Sequence, residues 1–146
     1  DGDVLQDAAA FGISILVGQG AASATPGRYL VHVTNRSSAP IAFIALNYEP
    51  RLEVLQLTAP GVWRHVGRSS GNRHANVIDI DVLEPGETRS TLLDGSLLAG
   101  VTKLGLWIDC RLPRARDENL SITFSEPEDP ARQGYVWSAD QRVEGG

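Results

Sequence analysis

The sequence predicts an all-β, antiparallel sandwich of about eight or nine short strands. Three observations carry that expectation. Apolar and polar residues alternate with a period of two through most of the chain. Turn-forming pairs, Pro60-Gly61 and Pro85-Gly86, separate the alternating runs. No long stretch keeps the period of an amphipathic helix, which argues against an open α/β architecture.

Residues 1–10 are polar and then alanine-rich, and read as an N-terminal arm with at most a short helical turn. In 11–18, Phe11, Ile13, Ile15 and Val17 alternate with Gly12, Ser14 and Leu16, a first strand. Residues 19–27 are rich in Gly, Ala, Ser and Thr and read as a loop. Tyr29, Val31 and Val33 then share one strand face, opposite Leu30, His32 and Thr34. A polar break at 35–38 and Pro40 precede the apolar run 41–46, expected to be a strand covered on both faces. Pro50 interrupts; 52–57 is the next strand, and Ala59-Pro60-Gly61 turns the chain into a returning strand at 62–66. Residues 67–76 form a polar loop bearing Arg68, Arg73 and His74.

Ile78, Ile80 and Val82 oppose Val77, Asp79 and Asp81 on the following strand, and 88–93 is the strand after the Pro85-Gly86 turn. Residues 94–100 connect, with room for a helical turn. Leu104, Leu106, Ile108 and Cys110 line one face of the next strand, while Trp107, Asp109 and Arg111 line the other. A charged loop at 113–118 leads to a last strand with Leu120, Ile122 and Phe124 inward. The sandwich therefore spans 11–126. Residues 127–146 read as an acidic surface tail anchored by Tyr135 and Trp137.

Composition bounds the function. A chain of 146 residues suits one domain that builds its own core. Its hydrophobic fraction of 42% excludes a disordered class. A net charge of −5 works against nucleic-acid binding, which rests on clustered cations, and against anionic lipid. Cys110 is the sole cysteine, so neither an intrachain disulfide nor a cysteine-built metal site can form. No apolar run reaches the ~20 residues of a spanning helix, so no membrane insertion is expected. Residues from Asp1 do not read as a signal peptide.

The strand ending Val33-Thr34-Asn35-Arg36-Ser37, the apolar continuation after Pro40, and Leu83-Glu84-Pro85-Gly86-Glu87 carry a resemblance. Together they resemble bacterial immunoglobulin-like β-sandwich domains, over roughly 11–124. The resemblance implies that fold and a leaning toward binding or scaffolding, and it names no ligand. The cysteine pair of antibody domains is missing.

The chemical constellations each have a plain alternative. His32 and His65 lie on strands and would make a metal site only if they met across a sheet; with no ligand spacing to support it, no metal and no cofactor is assigned. Asp79 and Asp81 project from one strand face, the pattern of a paired-carboxylate site and equally of a solvated face. No serine occupies a Gly-x-Ser-x-Gly elbow, and Cys110 falls on an apolar face, so no catalytic residue is assigned. Arg64 and His65, with Arg68, make a locally basic stretch suited to an anionic ligand. Trp107 alternates away from its strand's apolar face, beside Asp109 and Arg111, and these three are the candidate partner contacts. Its indole is expected to be covered from outside its own sheet by a second subunit, a partner or a terminus.

The expected function is a non-catalytic interaction or structural module, in a cell-envelope or secreted assembly or as a self-associating subunit. An extracytoplasmic setting is favoured. The alternative is a small hydrolase or carbohydrate-binding accessory domain using surface aromatics and Asp79/Asp81, with a sugar as ligand.

Overall fold

Period-two alternation governs the fold. The computed structural model describes residues 5–18, 27–46, 49–69, 78–108 and 134–142. Among them there is no α-helix. Eleven strands appear in order: β1 (Ile13–Val17), β2 (Arg28–Asn35), β3 (Ile41–Leu46), β4 (Glu49–Pro50), β5 (Leu52–Ala59), β6 (Val62–Arg68), β7 (Ile78–Leu83), β8 (Thr88–Asp94), β9 (Val101–Trp107), β10 (Tyr135–Trp137) and β11 (Gln141–Arg142). Two 3-10 turns, Ala8–Phe11 and Gly95–Leu98, interrupt them.

The strands form three antiparallel sheets and no closed barrel. One has the order β1-β2-β8, a second β4-β3-β7, and the third β10-β9-β5-β6, with β11 also on β9. The last predicted strand, with Leu120, Ile122 and Phe124, lies outside the described residues, as do Asp109, Cys110, Arg111, Arg73 and His74.

The first two sheets are joined at Asn35, where the predicted polar break falls. Its backbone N–H donates to Glu87 O at 3.0 Å, and its carbonyl accepts from Gly86 N at 2.7 Å. The side-chain amide donates to Ala39 O and Leu83 O, both at 2.8 Å. Its Oδ1 accepts from the Ser37 backbone N–H at 2.9 Å and the Ser37 hydroxyl at 2.7 Å. Asn35 is fully buried, so each of these bonds also removes the cost of a dry polar group. The Pro-Gly turn works with it: Gly86 sits at φ 82°, where a side chain would be strained.

The main core lies between the sheets. Ile13, Ile15, Val17, Val31, Val33 and Leu93 from one sheet face Leu52, Val54, Leu104, Leu106 and Val136 from another, with Phe43, Ala45 and Leu83 completing it. Residues 42–45 are buried on both faces of the strand, as the unbroken apolar run predicts. Phe43 and Ala45 enter this core, while Ala42 and Ile44 enter a second cluster with Leu55, Ile80, Trp107, Tyr135 and Trp137.

One face assignment differs. Phe11 does not continue the inward row of Ile13, Ile15 and Val17; it is exposed. Gly12, at φ 76°, ends the first 3-10 turn in the left-handed region and breaks the strand pattern there. A Cβ at Gly12 would lie 2.7 Å from Ser37 Cβ, so the close approach of these two loops also requires glycine.

Candidate functional site

The sequence candidates separate into different surroundings. Trp107 is almost wholly buried and stacks on Tyr135, ring centroids 5.9 Å apart; Tyr135 in turn stacks on Trp137 at 5.8 Å. The cover comes from the C-terminal segment. Tyr135 pairs with Trp107 and Trp137 with Gly105, so the stretch read as a surface tail adds a strand to the sheet. Gly105 makes this possible, because a Cβ there would meet the Trp137 ring at 2.4 Å.

His65 and Arg64 lie on β6, an edge strand. Arg64 is exposed. His65 Nε2 instead lies 2.9 Å from Glu53 Oε1. Glu53 is 1% exposed and also receives Arg51 Nε at 3.6 Å and Arg68 Nε at 3.4 Å. A shift in register between Val54 and Leu55 brings both Arg68 and His65 over the same carboxylate. Two fixed positive charges around one buried negative charge make a structural ion cluster. It has the acid–base parts of a catalytic site, an imidazole on a carboxylate, and among the described residues no hydroxyl meets that imidazole.

The other pairs stay apart. His32 sits on β2 with Nδ1 2.7 Å from Ser90 Oγ, in a different sheet from His65. Asp81 accepts from Arg89 Nη1 and from the Val82 N–H. The hydrogen bond to Asp81 is the largest influence holding the Arg89 guanidinium above its ordinary value. That guanidinium also lies 5.7 Å from the Phe43 ring centroid. The Asp79 side chain lies outside the described residues. Among those described, no three His, Cys, Asp or Glu side chains are grouped for a metal, and no helix is long and apolar enough to cross a membrane.

Among the described residues, the outer edge of β1 pairs with no other strand. Arg36 N donates to Gly12 O at 2.6 Å and Gly18 N to Leu30 O at 2.7 Å, so even-numbered backbone groups face β2. Val17 N points the opposite way, to Gln141 Oε1 at a long 3.5 Å. Strand geometry then turns the N–H and C=O of Ile13 and Ile15 outward, two and four residues earlier. They open into a groove of about 380 Å³. Residues Ile13 to Leu16 form one wall, and Ser138, Ala139 and Gln141 the other. Asp7, Ala8, Gly12 and Arg36 line it as well. Sequence reasoning singled out neither Glu53 nor this edge. The available signal was a strand, Ile-Ser-Ile-Leu-Val, with no charge and no proline on it.

Comparison with protein families, with curated proteins and with solved structures finds no match for the chain.

Proposed function

We propose that this protein is a non-catalytic interaction module that takes an extended segment of a protein partner as an added strand on β1. The observation that supports this reading is the row of outward backbone groups at Ile13 and Ile15, opening into a groove walled on its far side. Strand addition draws its affinity from main-chain hydrogen bonds, which need such an unpaired edge. The far wall at 138–141 favours one extended segment over a second folded sheet. The immunoglobulin-like reading of the sandwich belongs to the same proposal. Its support is the pairing of the Asn35 break with the Pro85-Gly86 turn.

Burial of the aromatic ladder weighs against the carbohydrate-binding alternative, because a sugar platform needs accessible rings and Trp107, Tyr135 and Trp137 have none to offer. The test is residue-resolved amide exchange with and without a pool of hexapeptides of alternating β-branched residues. Slowed exchange confined to Ile13, Ile15 and Val17 supports the reading. No slowing there at millimolar peptide overturns it.

A further inference from the structure

Resting on that strand-addition reading, we infer that the segment taken is the free C-terminus of the partner, running antiparallel to β1 with its α-carboxylate on Arg36. Three features of the groove lead there.

The first is a closed end. Trp137 N donates to Gln6 O at 2.8 Å, and Asp7 bridges to Trp137. From there the chain passes through the 3-10 turn Ala8–Phe11 and Gly12 to reach Ile13 in the other sheet. This crossing bars any strand from continuing past Ile13. An added segment must therefore stop beside Ile13, and a chain that stops carries a terminal charge.

The second is the sign of the charge waiting at that end. Arg36 follows β2, its backbone N–H is tied to Gly12 O at 2.6 Å, and its exposed side chain lines the groove and makes no ion pair among the described residues. Asp7, at the same end, keeps its charge but turns Oδ1 onto the Ala9 N–H at 3.0 Å. The Arg36 guanidinium, a donor-only fork, suits a carboxylate rather than an amine.

The third is direction. β1 runs from Ile13 to Val17, so only an antiparallel segment ends at Ile13. Its final residue then pairs with Ile13 in the hydrogen-bonded manner. One carboxylate oxygen accepts the outward Ile13 N–H, and the other faces the Arg36 guanidinium. The segment enters at the Val17 end, where among the described residues it displaces the long Gln141 contact.

The experiment uses fluorescein-labelled hexapeptides of alternating Val and Thr, one set ending in a free carboxylate and the other in a carboxamide. Binding to the full chain is read by anisotropy, and exchange at the Ile13 and Ile15 amides is read in parallel. The acid form is expected to bind at least about tenfold tighter than the amide, as a charge-assisted hydrogen bond allows. Arg36→Gln is expected to abolish that difference by bringing the acid form down to the affinity of the amide form. An acid set with an internal glutamate and a terminal amide distinguishes side-chain carboxylates; equal binding of that set overturns the inference. If acid and amide forms bind alike and both protect Ile13 and Ile15, the carboxylate assignment is overturned and strand addition stands. If neither protects them, both fall.

Discussion

β1 and β6 are both edge strands, β1 of a three-stranded sheet and β6 of the five-stranded one, and they are finished differently. β6 carries Arg64, His65 and Arg68, pairs through two register shifts, and is drawn to a buried carboxylate. Charges and bulges of this kind prevent another strand from docking. β1 has neither. Its residues are Ile13, Ser14, Ile15, Leu16 and Val17, its register with β2 is unbroken, and Leu16 is 52% exposed. Among the described residues β1's edge is bare and that of β6 is protected, and a bare edge suits a partner strand. The basic stretch that draws attention in the sequence serves to close an edge, and the plain apolar stretch is the open one.

The comparison breaks most severely at Glu53. Glu53→Ala leaves the buried Arg51 facing Arg68 with the intervening carboxylate gone, a loss of about 3 kcal/mol or more by analogy with other buried pairs. Chemical denaturation should show it, with faster amide exchange along β6 and none of that acceleration along β1. A loss below about 1 kcal/mol would mean the cluster does not hold β6. Asn35→Ala probes the β1 side. It removes the side-chain donor to Leu83 O and leaves Ala39 O with the Ser37 hydroxyl alone, at a cost of about 2 kcal/mol, and should loosen β2 and β3 together. If only one of the two sheets responds in exchange, Asn35 is not their joint.

Leu16→Lys converts β1 into the protected kind of edge. The side chain is exposed, so stability should change by no more than about 0.5 kcal/mol, while protection of Ile13 and Ile15 by added peptide should vanish. Retained protection would show that a charged edge does not deter docking here. The smallest effect lies at Asp94, at the far end of β8. Its carboxylate accepts from the Ser96 N–H at 3.0 Å, and this backbone bond is the chief reason its pKa is lowered from 3.8. A lowered folded value means protonation opposes folding. The stabilisation is complete above the unfolded value near 3.8 and fades as pH falls through the lowered one. Asp94→Asn should flatten the stability profile in that acid range alone. An equal change at neutral pH would assign the effect to the cap's shape instead of its charge.

Much of the fold was legible because it follows from alternation and turns. The strands beginning at Ile41, Leu52, Val62 and Thr88 start where their patterns start, and the Pro60-Gly61 and Pro85-Gly86 turns lie between strands with Gly61 and Gly86 at positive φ. Trp107 was legible only in part. Alternation correctly set it opposite Leu104 and Leu106, but which segment covers that face depends on β10, thirty residues on, and on the space left by Gly105. The Glu53 cluster was not legible, since it depends on a register shift between strands that no spacing encodes. Nor was the β1 groove. Whether an edge is paired is decided by sheet order, which is set by contacts between residues distant in the chain.

The seat of Trp137 on Gly105 also dictates an order of events in folding. β9 pairs with β5 through Leu52 and Leu106, and its other edge stays bare until Tyr135 to Trp137 arrive. A nascent chain that has just released Trp107 therefore displays that indole together with Leu55 and Ile44, an apolar strip with no lid. All-β folds dominated by non-local pairings complete on the millisecond-to-second scale, which prolongs the exposure. β10 is thus a kinetic gate against aggregation. A chain cut before Tyr135 should collect in inclusion bodies or on chaperones, whereas a chain that includes β10 buries the strip as soon as that strand docks.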